Sequence, residues 1–226
     1  MNTVTSPTGF RIITAEEAEE RFAVSDGVGY PYQDFADEQE IRLYESGLRI
    51  EGDLAPESDV DRVPYNVIVD GDLTVDGDMT WWDEGSGNFL LVTGDARARN
   101  VLLSGCPNVV VRGDVTVAGG IQGSCGEGGG YLAVRGRTRA RVVVATLYFG
   151  LDLTRRPEAV LIANPHRSTC PVDFTEEESA GVVLAELLDA DGGIDVRKVG
   201  EALREGRPVL RPDVPRPERL AAVGRG

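Results

Sequence analysis

Histidine, cysteine, positive charge and long apolar runs are all scarce in this chain, and each shortage removes a class of function. There is one histidine, His166, and three cysteines, Cys106, Cys125 and Cys170, with no Cys-x-x-Cys spacing. An odd, sparse set of this kind fits a reducing cytoplasm, and cytoplasmic localisation is expected. No stretch approaches the roughly 18 apolar residues of a membrane span. Met1-Asn2-Thr3-Val4 is not a basic region leading into an apolar run, so neither a membrane nor a secretory fate is expected. With 23 Lys and Arg against 38 Asp and Glu, the formal charge is −15 and the pI is near 4.5. That balance argues against nucleic acid and anionic membranes as general partners.

What the chain has is a repeat. Val67-Ile68-Val69-Asp70-Gly71-Asp72-Leu73-Thr74-Val75-Asp76-Gly77 returns 42 residues later as Val109-Val110-Val111-Arg112-Gly113-Asp114-Val115-Thr116-Val117-Ala118-Gly119. The match runs on without a gap to Arg97-Ala98-Arg99 over Arg139-Ala140-Arg141, and 14 of the 33 positions from 67 to 99 are identical at this offset. A weaker half-repeat lies inside it. Gly52, Gly71, Gly94, Gly113 and Gly136 follow one another at steps of 19, 23, 19 and 23. Short alternating strands flank each of them, which reads as β-structure and not helix.

A period of about 20 residues, built of short strands and Gly/Asp turns, indicates a mainly β fold, a parallel β-solenoid whose stacked rungs share one core. Antiparallel sandwiches and hairpin arrays do not need period-locked glycines. The steps differ from the strict coil length of left-handed hexapeptide helices, which favours a right-handed coil. The recurrent Gly suits a corner of positive φ, and the Asp after it suits a local Asx turn. The additional residues of the longer steps fall at 80–88 and 122–130, so two loops are expected on one side, two rungs apart.

Flanking segments complete the organisation. Residues 1–40 form an arm and a helix opened by the capping box Thr14-Ala15-Glu16-Glu17 and running to about Val24. Residues 41–165 form the solenoid, beginning near Ile41 or Leu48. Residues 166–206 form a helical cap, with one helix after Thr175-Glu176-Glu177-Glu178 reaching Asp189, and another from Asp195 to a stop at Gly206. Residues 207–226 are a Pro/Arg-rich tail. Helical caps at both ends would cover the open sheet edges.

Several constellations bear on chemistry. Arg97, Arg99, Arg135, Arg137, Arg139 and Arg141 form a stripe, with Arg97 two rungs from Arg139 across Thr116 and Arg99 two rungs from Arg141 across Ala118. It serves either an acidic partner, through forked guanidinium geometry, or a solvated face compensated by neighbouring Asp. Gly123-Ser124-Cys125-Gly126-Glu127-Gly128-Gly129-Gly130 lacks the Gly-Lys-Ser/Thr ending of a phosphate loop. Asp189-Ala190-Asp191-Gly192-Gly193-Ile194-Asp195 places Ile194 and Gly200 where a calcium loop needs Gly and Glu. Corner Asp residues lack the dense Gly-Gly-x-Gly-x-Asp repeat of calcium rolls. No cofactor or metal is expected, and a Cys125/His166 nucleophile–base pair has nothing to position it. Of the adjacent Trp81 and Trp82, one should face outward from a strand. It would either anchor a partner or pack on the flank.

The rungs Val-x-Val-x-Gly-Asp-Leu/Val-Thr-Val-x-Gly over residues 48–144 resemble those of the bactofilins, the polymer-forming cytoskeletal proteins of bacteria. The resemblance implies a right-handed β-solenoid and end-to-end polymerisation without nucleotide, and it brings no catalytic residues. The residues together point to a non-enzymatic scaffold or protein-binding module. Its expected partner surface is Trp81, Trp82, Glu84, Arg97, Arg99, Glu127, Arg139 and Arg141. A bactofilin-like polymer and a toxin-neutralising immunity-type protein, steered to a basic partner by its −15 charge, are the alternatives.

Overall fold

The computed structural model describes residues 9–29, 31–35, 38–55, 65–126 and 129–215, with backbone alone at 82–87. In it the repeat winds as a parallel β-solenoid of about five turns. The chain enters through β1 (Arg11–Ile13) and helix α1 (Ala15–Phe22), and the first coil holds β2 (Glu40–Glu45) and β3 (Leu48–Ile50). β4 (Tyr65–Asp70), β5 (Leu73–Val75) and the start of β6 (Met79–Val92) make the second coil. β6 then bends round a corner into the next coil, as does β8 (Val101–Val111) after β7 (Ala96–Ala98). β9 (Val115–Val117), β10 (Gly120–Cys125), β11 (Tyr131–Val134), β12 (Thr138–Leu147), β13 (Gly150–Leu153) and β14 (Glu158–Ile162) complete the winding. Helices α2 (Ser179–Val182) and α3 (Val196–Arg204) follow.

Three faces result. Face A stacks β2, β4, the ends of β6 and β8, β11 and β13. Face B stacks β3, β5, β7, β9 and the start of β12, and face C stacks the starts of β6 and β8, then β10, the rest of β12, and β14. Parallel pairing holds equivalent residues in register, so Val67, Leu90, Val109, Leu132 and Leu151 lie one above another. These residues point inward with Val69, Val92, Val111 and Val134 of face A and Met79, Trp81, Val101 and Ile121 of face C, making one continuous core. Packing in that core is reciprocal from coil to coil. A Cβ on Gly123 would lie 2.3 Å from the Phe149 ring, so the absence of a side chain there is the space Phe149 fills.

The expected positive φ is found at Gly52 and Gly71, at 102° and 127°, but it does not account for the later corner glycines. Gly94, Gly113 and Gly136 are not among the positive-φ residues. Each donates its N–H to the carbonyl of the glycine one coil before, at 2.9–3.0 Å. The coils approach so closely here that a Cβ on Gly113 would stand 2.4 Å from Asp95 Oδ1 and 2.5 Å from the Gly94 carbonyl oxygen. The corner Asp residues likewise bond between coils and not within a local Asx turn. Asp72, Asp95 and Asp114 each accept, through Oδ1, the backbone N–H of residue 95, 114 or 137 on the next coil at 2.8 Å. Gly52 does not belong to this stack. Gly77 donates to its carbonyl at 2.8 Å, which places Gly52 at the next corner. The true steps on face B therefore run from Leu48 to Leu73, Ala96, Val115 and Thr138, and from Arg139 to Glu158. The first of these is the longest, and long and short steps alternate only after it.

The flanking segments lie along the faces. Thr14 caps α1 as its sequence requires, accepting the Glu17 N–H at 3.1 Å, and the helix stops at Phe22 where Ala23 turns left-handed. Ala18, Phe22, Val24, Val28 and Tyr32 then cover the outward side chains of face A, namely Leu43, Ile68, Leu91, Val110 and Ala133. The C-terminal segment does the same for face C, where Val182, Val183, Leu187, Val199, Leu203 and Leu210 pack on Leu102, Val142, Val144, Val160 and Ile162. α3 matches the expected helix, capped by Asp195 on the Lys198 N–H at 3.1 Å. The expected helix from 175 to 189 is not formed. Only Ser179–Val182 is α-helical, with a 3-10 turn at Ala185–Leu187, because Val183 turns extended between them to bridge Leu210.

Strand and loop close the edge of face A at one end and the edges of faces A and C at the other. β1 pairs antiparallel with β2 at one end. At the other, the Leu153 N–H bonds to Thr169 Oγ1 at 2.8 Å and the Leu161 N–H to Asp173 Oδ2 at 2.9 Å. Side-chain oxygens thus stand where the carbonyls of a further strand would be.

Candidate functional site

Face B differs from its two neighbours in what it presents outward. Its strands alternate, as in Leu73-Thr74-Val75 and Val115-Thr116-Val117, whereas Val67-Ile68-Val69 on face A and Val142-Val143-Val144 on face C are apolar on both sides. Unbroken apolar strands need cover on both sides, and alternating ones leave one side wet. The outward ladder of face B reads Arg49, Thr74, Arg97, Thr116, Arg139, Glu158, one residue per coil. Interposed Thr keeps the arginines two coils apart, about 9.6 Å at the usual strand spacing.

The expected stack of Arg97 over Arg139 across Thr116 is therefore present. That of Arg99 and Arg141 is shifted by one position. Gly119 donates to the Arg99 carbonyl and Arg141 to the Gly119 carbonyl, both at 2.8 Å, so Gly119 and not Ala118 stands between them. The cause is a register that pairs Ala98 with Val117 but Val101 with Ile121, so the later coil spends an additional residue rounding this corner.

The arginines divide into two groups. Arg49 reaches Asp76 at 2.8 Å, Arg135 reaches Asp152 at 2.6 Å, and Arg139 reaches Glu158 at 3.2 Å. Arg99 grips Asp78 with Nε and Nη2, each at 2.8 Å, and the Asp78 carboxylate is almost fully buried. Hydrogen bonding to that carboxylate raises the Arg99 guanidinium further above its ordinary value. The same Asp78 oxygen accepts from buried Asn100, which also bonds to the Leu203 carbonyl and the Gly120 N–H. This corner thereby ties the C-terminal segment to the solenoid. A cleft of about 130 Å³ adjoins it, lined by Asn100, Gly119, Arg141, Leu203, Arg207 and Val209 among others. The side chains of Arg97, Arg137 and Arg141 are exposed and have no ion-pair or hydrogen-bond partner among the described residues.

The expected loops share one corner, between faces C and A. Asp83 pairs with Gly105 and Asn88 with Pro107, so the additional residues of the first loop are 84–87, opposite Cys106. The second loop follows Cys125 on the coil beyond. This corner lies on the far side of the prism from face B, so the structure separates the loops from the arginines that were expected beside them. Trp81 does not reach the surface at this corner. It is buried in the core, donating Nε1–H to Asn88 Oδ1 at 2.8 Å and meeting the Tyr65 ring edge-on at 6.3 Å. The side chains of Trp82 and Glu84 lie outside the described residues, as does Glu127. Among the described residues, the large apolar side chains exposed at this corner are Leu147 and Tyr148, with the Arg167 guanidinium 5.4 Å from the Tyr148 ring centre. Neither was singled out in the sequence, where both read as part of one further rung.

Cys125 and His166 are not joined by a hydrogen bond in the structure. The Cys125 sulfur is buried, donates to the Gly126 carbonyl at 3.2 Å and accepts the Gly129 and Gly130 N–H groups at 3.1 and 3.0 Å, while His166 is exposed in a short turn after Asn164. Among the described residues no group of three or more His, Cys, Asp or Glu is placed to hold a metal ion, and no helix is long and apolar enough to cross a membrane. Asp189 organises its turn through the Asp191 and Gly193 N–H groups at 2.9 and 2.8 Å. Comparison with protein-family models, with curated proteins and with solved structures finds no match for this chain.

Proposed function

We propose that the chain is a non-enzymatic β-solenoid scaffold that binds a protein partner on face B. One observation carries this reading. Two of the three outer faces are apolar and covered by the chain's own flanking segments, whereas face B is polar, regular and left uncovered among the described residues. A rigid, flat, hydrogen-bonded face with outward side chains at fixed spacing is a ready template for recognition. The bactofilin-like alternative requires coils to add at the ends of the sheets. The β1–β2 pairing and the Thr169 and Asp173 bonds occupy edges that addition would use, which supports the scaffold reading over the polymer.

The test is site-specific photocrosslinking in the cells that produce the protein, with a benzophenone side chain at Thr74 or Thr116 and, as a control, at Glu19 on the covering helix. The scaffold reading expects a discrete protein adduct from the two face B positions and not from the control. Absence of adducts from face B, or growth of the purified protein into pelletable polymers as its concentration rises, overturns it.

A further inference from the structure

Charge is distributed unevenly along the solenoid axis. Residues 1–95 carry 22 acidic and five basic side chains, a net charge of −17, whereas residues 96–172 carry four acidic and ten basic, a net charge of +6. Because sequence order is coil order, the acidic total describes the first coils and the helix laid on them, and the basic total describes the later coils. Residues 173–226, part of which covers face C of those coils, carry 12 acidic and eight basic side chains, so the cationic character belongs to the later coils themselves, and their uncovered face is where Arg97, Arg137, Arg139 and Arg141 emerge.

Resting on the reading of face B as a partner surface, we propose that its later coils recognise an acidic, extended protein segment. The start of β12 sets the pattern. Thr138 and Ala140 are buried and three arginines face outward beside them, Arg139 within the face, Arg137 at the corner just before the strand and Arg141 where β12 rounds the corner toward face C. Alternate residues of a strand lie about 6.8 Å apart, at the usual rise of about 3.4 Å per residue. An extended segment laid along this row with a carboxylate at every second residue has the repeat of the strand at Arg139, with the long side chains of Arg137 and Arg141 available to the carboxylates on either side from the two corners of the face. Arg97, two coils below Arg139, offers a fourth contact to a flanking acid. Arg137 and Arg141 have no competing ion pair among the described residues, and only Arg139 must share Glu158. Forked guanidinium–carboxylate bonds are directional as well as strong, which rewards the matched spacing. The acidic first coils repel the same segment, so they confine it to the later coils and make encounter sensitive to salt.

The probe is a fluorescein-labelled peptide of alternating Glu and Thr, twelve residues long, titrated with the full chain by fluorescence anisotropy. Expected are saturable binding that weakens steeply with salt, a loss of tenfold or more in R137Q/R141Q, and little change in R49Q, whose arginine already pairs with Asp76. A peptide of the same composition with its glutamates in one block should bind several-fold more weakly. Circular dichroism of the variants must match the parent, as expected for exposed side chains. No binding at millimolar concentration, equal affinity for R137Q/R141Q, or tighter binding of a DNA duplex than of the peptide overturns the inference. Identification of the segment crosslinked through Thr116 separates the two readings. A non-acidic segment sinks this inference and leaves the scaffold standing, whereas no adduct at all removes the scaffold reading as well.

Discussion

Replacing Gly113 with alanine decides whether the corner glycines serve backbone freedom or close approach. At a site where alanine fits, Gly→Ala stabilises by about 0.4–1 kcal/mol, because the unfolded chain loses freedom. Gly113 has no positive φ to strain, so a purely conformational account expects a gain or no change. The geometry predicts the opposite. The new Cβ would meet Asp95 Oδ1 at 2.4 Å and the Gly94 carbonyl oxygen and carbon at 2.5 and 2.6 Å, and backbone atoms cannot rotate away as a side-chain tip can. Relief requires the two coils to part at this corner. That disturbs the Gly113 N–H bond to Gly94 O at 2.9 Å and the Asp114 N–H bond to Asp95 Oδ1 at 2.8 Å. Overpacking costs about 1–3 kcal/mol and each bond about 1 kcal/mol, giving a loss of about 3–5 kcal/mol. In a chain of this size that corresponds to a fall in Tm of roughly 10 °C. Urea unfolding followed by far-ultraviolet circular dichroism, with a calorimetric Tm, measures it. Gly126→Ala is the control, since nothing lies within 4 Å of its Cβ position, and it should stay within about 0.5 kcal/mol of the parent. A Gly113→Ala protein as stable as the parent, or more so, would refute the close-approach account.

Other outcomes follow from the same contacts. Thr169→Ala combined with Asp173→Ala strips the oxygens from the terminal edge, and sedimentation should then show concentration-dependent association absent from the parent. Burial holds Tyr32 and Tyr44 up to about 12, so ultraviolet absorbance of the phenolate should retain a late phase well above pH 10 that vanishes on unfolding. A raised folded value means that these tyrosines contribute stability below pH 10 that is lost as pH rises through about 12. The hydrogen bond from Arg11, joined by Arg21, lowers Glu17 to about 2. A lowered folded value means a contribution present above about pH 4.5 and lost toward pH 2, so acid should loosen the N-terminal segment, read by amide exchange in α1.

The repeat was legible because a parallel stack places equal residues in equal environments. Val67 and Val109 sit on the same face and point into the same core, so they stay alike in sequence. Gly52 misled because a different corner, the one it shares with Gly77, happens to precede Gly71 by the length of a true short step. The wet face was also written in the chain, as Leu73-Thr74-Val75 against Val67-Ile68-Val69, but alternation says which side is uncovered only once the three faces are separated. What covers faces A and C was not legible. Phe22 over face A and Leu203 over face C are ordinary amphipathic helix positions, and nothing in their spacing names the strand beneath. Trp81 was misjudged for a simpler reason. Adjacent tryptophans must diverge, and Trp81 turns inward in phase with Met79 on the same strand, a phase reached from inward Val75 across a corner whose length the sequence leaves open.

The bend between faces C and A gives the protein a place where length is free. The segment 84–87 stands there opposite the single Cys106, yet Asn88 to Val92 resume their pairing with Pro107 to Val111 as if nothing intervened. Contour length and axial rise are thus uncoupled. A coil advances the stack by one strand spacing however much chain it spends turning this corner. A foreign peptide spliced between Asp83 and Asn88 should be carried outward like a tab on a bound page, held at both ends by rigid strand. A second splice after Gly126, on the coil two steps along, would stand about 10 Å from the first, at a separation fixed by the hydrogen-bond ladder and not by the inserts.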